Sequence, residues 1–164
     1  MSHDAAAYAD LLDALTDLRR FWERPDRKRW FLAELGVPVE LAVLRTLAAV
    51  DRGNAACART DGAAHTTVGA VGEALAVNQS TASRLVEQAV RAGYLDRHAD
   101  AADGRRTGLA LTATGRSLLA RADVIRRGWL SAVTEDWEAA EVRSLVELLR
   151  RFLDDAARVE ERWR

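Results

Sequence analysis

The sequence predicts a mainly α-helical fold in which a helix-turn-helix is followed by a small β-hairpin wing and flanked by long helices. Three observations predict it. A tight turn at residues 76–78 separates two helix patterns, and two short strand patterns with arginines between them follow at once. Long stripes of apolar residues at three- and four-residue steps lie on both sides of this region. A chain of 164 residues has room for such a domain and for an assembly region.

The N-terminal part is predicted to be helical. Residues 5–22 carry one apolar stripe at helical spacing, made of Tyr8, Leu11, Leu12, Leu15, Leu18 and Trp22. Pro25 ends or kinks this helix, because proline has no backbone donor and clashes with the preceding turn. A short helix over residues 28–35 is then expected to stop at Gly36.

Pro38 suits the first turn of a further helix that runs to about Val50. Residues 51–66 contain glycine, aspartate and asparagine without an apolar period, which predicts a loop long enough to be functional or mobile.

The helix-turn-helix is marked by capping residues. Thr67 is expected to cap a helix over residues 68–75, and Asn78 a second helix from Gln79 to about Ala92. Gly93 suits the left-handed position after that helix.

The hairpin and the last two helices follow. Residues 94–99 and 107–111 are predicted strands, joined by a turn at residues 100–104. Thr112 is expected to cap a long helix through Val133, and a last helix covers about residues 138–163.

Composition excludes several classes of protein. The net charge is −1, and the single cysteine, Cys57, excludes an intrachain disulfide and a cysteine-cluster metal site. No apolar run approaches the roughly 20 residues that span a bilayer. The acidic N-terminus differs from a signal peptide, so we expect a cytoplasmic protein without a membrane segment. No phosphate-binding glycine loop, metal cluster or nucleophile–base pair is recognisable, so no enzyme activity, metal or cofactor is predicted.

The second helix of the helix-turn-helix begins with short polar side chains followed by an arginine. These candidates for DNA contact are Gln79, Ser80, Thr81, Ser83 and Arg84. Short side chains at a helix N-terminus let the backbone approach a groove and donate to phosphates. The guanidinium of Arg84 suits guanine O6 and N7. The alternative interpretation of the serines and threonine is an ordinary capped helix start.

The predicted wing carries Arg105 and Arg106 at its tip, with Asp103 beside them. An aspartate that orients an arginine prepares it for a narrow minor groove, although a solvated turn with paired charges has the same composition. Residues 67–112 contain five arginines and five acidic residues, so binding depends on where charge is placed. This balance also leaves a second hypothesis open, in which the winged helix contacts protein without binding DNA.

The long outer helices favour assembly. A winged helix of about 70 residues does not need all three, the first helix and the last two, for its own core, so we expect them to pack against a second copy of the chain. The alternative is one monomeric bundle. The chain then divides into four regions, listed in order: N-terminal helices for dimerisation and support (1–50), an inserted loop (51–66), a DNA-binding winged helix-turn-helix (67–112) and C-terminal dimerisation helices (113–164).

The stretch from Thr67 to Gly115 contains VGEALAVNQSTASRLVEQAVRAGYLDR, then DAADGRR, then LALTATG. In this order and spacing it resembles the MarR family of bacterial transcription regulators, and the helix pattern extends the likeness to about residues 38–160. The resemblance implies a homodimer, formed mainly by the N- and C-terminal helices, that binds a pseudopalindromic operator in double-stranded DNA. It places Ser80, Thr81, Ser83 and Arg84 on the recognition helix and makes Arg105, beside Asp103, the wing-tip arginine.

Many members of that family resemble ligand-responsive repressors with a cavity between the dimerisation helices and the winged helix. The resemblance therefore implies a repressor released by a small aromatic or lipophilic ligand. Candidate lining residues are Trp22, Trp30, Phe31 and Trp129, although aromatic residues at helical spacing more often belong to a core or an interface. In most family members only a few residues connect the helix-turn-helix to the helix that precedes it. In this chain the connection is residues 51–66.

Overall fold

The computed structural model describes residues 5–59, 65–99 and 107–163 of the chain. These ranges contain seven helices and one antiparallel pair of strands, in the order α1 (Ala5–Glu23), α2 (Pro25–Leu35), α3 (Leu41–Arg59), α4 (Val68–Leu75), α5 (Gln79–Arg91), β1 (Leu95–Ala99), β2 (Thr107–Leu111), α6 (Ala113–Val133) and α7 (Ala139–Arg162). The predicted class, mainly helical with one small hairpin, is confirmed.

The core lies among α2, α3, α4, α5, the hairpin and the beginning of α6. Its largest fully buried side chains are Leu35, Leu44, Leu47, Val50, Val71, Val86, Leu95 and Leu109. Helix α5 contributes Ala82, Val86 and Ala89, whose spacing of four and three residues puts them on one buried face. Helix α3 packs against α4, α5 and β2, so it supports both the helix-turn-helix and the wing.

Two predictions about prolines have different outcomes. Helix α1 ends at Glu23 and α2 begins at Pro25, because the fixed φ of proline suits the first turn of a helix. Gly36 then ends α2 with φ 66°, as predicted. The prediction that Pro38 lies in the first turn of the next helix is wrong, because α3 begins at Leu41.

The loop predicted over residues 51–66 is wrong for its first part. Helix α3 continues to Arg59, and Gly53 and Asn54 lie within it. Residues 60–64 lie outside the described part of the chain. Residues 65–67, here called the arm, are extended, and Thr66 forms an antiparallel bridge with Leu109 of β2. The inserted segment is therefore mostly a longer helix.

The hairpin pairs β1 and β2 with Leu95 opposite Leu111, Arg97 opposite Leu109 and Ala99 opposite Thr107. Leu95 and Leu109 are buried, while Arg97 is exposed. Both strands were predicted, with β1 beginning one residue later than expected. Asp103, Arg105 and Arg106, predicted at the tip, lie outside the described residues.

Contacts within the chain define two compact units, Met1–Ile125 and Arg126–Arg164. The second unit contains the end of α6 and all of α7. A capping box begins α7: Glu138 and Glu141 each accept a backbone N–H of the other with their side chains. The fourfold functional division proposed from the sequence stays a prediction.

Candidate nucleic-acid interface

The turn before α5 brings α4 and α5 close together. Ala76 has a left-handed backbone, with φ 52° and ψ 45°, and ends α4. Gly72 lies against the carbonyl oxygen of Val77 and the methyl group of Ala82, and a Cβ at Gly72 would be 3.3 Å and 3.4 Å from those atoms. A larger residue at position 72 would push the two helices apart.

Asn78 caps α5, as predicted. Its side-chain oxygen accepts a hydrogen bond from the backbone N–H of Thr81 at 2.9 Å and another from the Ser80 hydroxyl at 2.8 Å. A helix leaves its first amides without partners within the helix, and this cap satisfies the amide of Thr81. The cap also fixes the Ser80 side chain at the start of the exposed face.

One face of α5 is open to solvent. Its exposed residues follow a helical stripe and are Ser80, Arg84, Glu87 and Arg91, with Gln79 beside the first. Arg91 and Glu87 form an ion pair at 3.4 Å. Arg84 has no ion-pair partner among the described residues, so its guanidinium is available to an external acceptor.

The five residues predicted on this helix differ in accessibility. Gln79, Ser80 and Arg84 are exposed, whereas Thr81 and Ser83 are half-buried. Thr81 follows the cap, and both half-buried side chains lie nearer the face that packs against the core. The exposed three therefore form the accessible part of the predicted site.

The base of the wing is tied to both neighbouring helices. The Thr112 hydroxyl donates to the carbonyl oxygen of Gly93 at 2.7 Å and accepts from the backbone N–H of Gly115 at 3.0 Å. The backbone N–H of Thr112 donates to the carbonyl oxygen of Tyr94 at 3.1 Å. Thr112 thus joins the end of the α5 region, the start of β1 and the first turn of α6.

A second junction on the other edge of the wing was not predicted from the sequence. The Asn54 side chain donates to the carbonyl oxygen of Leu109 at 2.9 Å and accepts from the backbone N–H of Thr66 at 2.7 Å. The Thr66 hydroxyl donates to the carbonyl oxygen of Val50 at 3.3 Å. Gly53 leaves room for this contact, because a Cβ there would be 2.2 Å from the Thr66 hydroxyl oxygen.

Two histidines lie together beside this junction. The ring centroids of His65 in the arm and His98 on β1 are 6.1 Å apart. Gly108 separates them, and a Cβ at that position would be 2.4 Å from Cβ of His65. In the described ranges, 5–59, 65–99 and 107–163, no group of three histidine, cysteine, aspartate or glutamate side chains has an arrangement that suits a metal ion.

The aromatic residues predicted to line a ligand cavity lie in different places. Trp22 and Trp30 are 49% and 44% exposed, while Phe31 is partly buried against the core. The Arg27 guanidinium lies 4.3 Å from the ring centroids of both Phe21 and Trp22, a cation–π arrangement, and partial burial lowers its pKa below the usual value. Trp129 belongs to the second unit. The cavity stays a prediction.

Apolar side chains remain uncovered on two helices of the single chain. Neither α1 nor α7 has a buried residue. The exposed apolar residues of α1 include Tyr8, Leu11, Leu12, Leu18 and Trp22, and those of α7 include Val142, Leu145, Val146, Leu148, Leu149, Phe152 and Leu153. Contiguous exposed apolar stripes of this kind mark interaction surfaces.

Residues 37–106 match the model of the MarR family. Over these residues the chain is similar to the MarR family. The matched residues run from just before α3, through the helix-turn-helix, to the predicted wing tip. A search of curated proteins finds no significant match.

Solved structures of MarR proteins share the fold over nearly the whole chain. A MarR family protein from Bacillus stearothermophilus matches with a TM-score of 0.73 and 18% identity, covering 95% of this chain and 99% of that chain. The transcriptional regulator BldR from Sulfolobus solfataricus matches with a TM-score of 0.65 and 18% identity, covering 94% and 99%. At this identity the likeness establishes the MarR fold.

MepR from S. aureus has the same fold in two liganded forms. A MepR variant bound to an oligodeoxyribonucleotide matches with a TM-score of 0.54 and 19% identity, covering 91% of this chain and 97% of that chain. MepR bound to ethidium bromide matches with a TM-score of 0.56 and 19% identity, covering 91% and 96%. No helix in the described part of the present chain is long and apolar enough to cross a membrane.

Proposed function

We propose that the chain is a sequence-specific regulator of transcription that binds double-stranded DNA as a homodimer. In this proposal α5 enters the major groove and the wing lies in the neighbouring minor groove. The observation that carries the proposal is the exposed start of α5, where Gln79, Ser80 and Arg84 face solvent above a buried apolar face. The oligodeoxyribonucleotide complex of MepR, which has the same fold, supports it.

The chemistry of that face suits a duplex. The Arg84 guanidinium has two parallel donors for guanine O6 and N7 in the major groove. The first amides of α5 suit phosphate oxygens, because the N-terminus of a helix carries partial positive charge. Gln79 has both a donor and an acceptor for a base edge. Thr81 and Ser83 contribute less, since they are half-buried.

A symmetric dimer would present two such faces. The uncovered apolar stripes of α1 and α7 support dimerisation, because a second copy of the chain can bury them around a two-fold axis. Two recognition helices related by such an axis read a pseudopalindrome with half-sites about one helical turn apart. A chain that works on chromosomal DNA in this way is cytoplasmic.

We further propose that the regulator is a repressor released by a small aromatic or lipophilic molecule. The ethidium complex of MepR supports a ligand of this class in a protein of the same fold. Trp22 and Trp30 offer large flat surfaces that are about half exposed. Phe31 and Trp129 are the other two residues that the sequence predicts to contact such a ligand.

The proposal is tested by selecting bound duplexes from a random pool and measuring affinity for the selected operator. Arg84→Ala should lower the affinity by about 10- to 100-fold and relax base preference at one position per half-site. Arg158→Ala, on α7, is the control because it removes another exposed arginine, outside the helix-turn-helix; it should change affinity less than about twofold.

Two outcomes would contradict the proposal. If Arg84→Ala combined with Arg105→Ala leaves both the affinity and its salt dependence unchanged, the DNA mechanism is wrong. Selection of no duplex by the wild-type chain would instead favour a winged helix that contacts protein, which the balanced charge of residues 67–112 also suits. Protection of a single unpaired half-site would contradict the symmetric dimer.

A further inference from the structure

The junction between α3, the arm and β2 contains a side chain that replaces a backbone group. In an antiparallel pair, two facing residues exchange two N–H···O=C bonds. Thr66 and Leu109 make the first of these directly, because the N–H of Leu109 donates to the carbonyl oxygen of Thr66 at 2.9 Å. The second is absent from the pair, and the carboxamide of Asn54 takes its place.

Asn54 fits this place because its side chain has the polar groups of a peptide unit. Its oxygen accepts from Thr66 N–H at 2.7 Å, and its Nδ2 donates to Leu109 C=O at 2.9 Å. Leu109 is fully buried, so its carbonyl oxygen would lose its side-chain hydrogen-bond partner in a buried place if the amide were removed. Aspartate at this position would still accept from Thr66, but it would lack the donor for Leu109.

We propose that Asn54 is a positioning residue for the wing: by inserting its carboxamide between the arm and β2, it fixes the angle at which the hairpin leaves the domain. The inference rests on the proposed DNA-binding function and adds a residue that touches no DNA. Helix α3 also packs against α5, so the same helix supports the recognition helix and holds the wing. Asn54 therefore sets the geometry between the two DNA-contacting parts.

Asn54 binds the wing at Leu109, so a small change of angle there would displace Arg105 by a larger distance. Arg105 is four residues before Leu109 in the sequence, a distance of at most about 14 Å along an extended chain. A tilt of about 10° at Leu109 then moves the tip by up to roughly 2 Å, whereas functional contacts tolerate about 0.5 Å. Loss of the Asn54 carboxamide should therefore remove the contribution of the wing to operator affinity and leave the contribution of α5.

The first test is a double-mutant cycle on the selected operator. Arg105→Ala alone and Asn54→Ala alone should each lower affinity by about tenfold. The double variant should be little worse than either single one, because both changes remove the same contact. Asn54→Asp, which retains one of the two bonds, should behave like Asn54→Ala and guards against a variant that fails to fold.

The matched control is Thr46→Ala in the same helix. Thr46 is fully buried and its hydroxyl donates to Ala42 C=O at 2.9 Å within α3, so its truncation removes buried packing and a hydrogen bond that does not reach the arm or the wing. Thr46→Ala should lower the melting temperature but leave the operator affinity within about twofold of the wild-type value. A fall in affinity for Thr46→Ala equal to that for Asn54→Ala, or effects of Asn54 and Arg105 that multiply to about 100-fold, would overturn the proposal.

A second measurement needs no DNA and separates this proposal from the proposed function. Residual dipolar couplings of backbone amides report the orientation of β1 and β2 relative to α3, α4 and α5. In Asn54→Asp the couplings of the three helices should still fit the wild-type arrangement, while those of the hairpin should not. If all of them fit the wild-type arrangement, Asn54 does not position the wing, whether or not the chain binds a duplex.

Discussion

Gly115 lies in the first turn of α6 directly against the backbone of Tyr94. A Cβ added there would be 2.1 Å from the Tyr94 carbonyl oxygen and 3.1 Å from its carbonyl carbon. The same oxygen accepts the hydrogen bond from Thr112 N–H at 3.1 Å. Gly115→Ala therefore requires the start of β1 or the start of α6 to move by more than about 1 Å, since non-bonded atoms attract best at about 3.5–4.0 Å.

Two effects of opposite sign decide the stability of Gly115→Ala. Alanine gains about 0.5–1 kcal/mol over glycine inside a helix. Overpacking against a backbone atom costs about 1–3 kcal/mol, and weakening the Thr112 hydrogen bond costs about 1 kcal/mol more. Because the obstacle is backbone and not a flexible side chain, we expect a net loss of about 2 kcal/mol. For a chain of this length that lowers the melting temperature by about 4–8 °C.

The same helix offers a matched control, because a Cβ at Gly128 would meet nothing within 4 Å. Gly128→Ala should raise the free energy of unfolding by about 0.5–1 kcal/mol. Urea unfolding followed by circular dichroism, at one protein concentration for all variants, measures both changes. If Gly115→Ala is as stable as the wild-type chain, or if both variants are more stable than it, the close approach of α6 to Tyr94 is wrong.

Three further predictions follow from burial, capping and exposure. Leu47→Ala, in the fully buried core, should lower the free energy of unfolding by about 2–5 kcal/mol in urea titrations, and a loss under about 1 kcal/mol would contradict its packing. Asn78→Ala should cost about 1 kcal/mol by removing the cap of α5, whereas Asn78→Ser should retain most of it; equal melting temperatures for the two variants would refute the role of the cap. Leu145→Glu together with Leu149→Glu should convert dimers to monomers in sedimentation velocity, because α7 would carry charge into the proposed interface; an unchanged sedimentation coefficient would exclude this face.

Local signals in the sequence were sufficient to predict most of the helices and strands. The cap of α5 was predictable because Asn78 acts on an amide three residues away. The buried face of α5 was predictable because apolar residues at helical spacing cannot all face water. The same holds for Thr67, whose hydroxyl accepts from Ala70 N–H, and for Thr112 at the start of α6.

The second half of α3 was not predictable from local signals, because its reasons lie far along the chain. Gly53 and Asn54 have low helix propensity and suggest a loop. Their actual partners are Thr66 and Leu109, and the Asn54 bond to Leu109 spans 55 residues. A small residue and an amide were required by a strand that comes much later in the sequence.

The candidate DNA face was predicted as a segment but not in detail. Composition placed five residues at the start of α5, but it did not show that Thr81 and Ser83 turn partly toward the core. That distinction depends on the direction from which α3 and α4 pack, which a single sequence does not contain. The contacts with a second copy of the chain, which the apolar stripes of α1 and α7 suggest, also cannot be predicted from one sequence alone.

The tie between Thr66 and α3 also has a practical consequence for residues 60–64. This segment connects Arg59, at the end of α3, to an arm that is already anchored by Asn54 and Leu109. The length of this segment therefore has little influence on the helix-turn-helix and the wing that follow the arm. Doubling that length costs only about 0.6 kcal/mol of closure entropy. A peptide tag or fluorescent reporter inserted there should leave the proposed DNA-contacting surfaces in register, which makes it a suitable point for labelling.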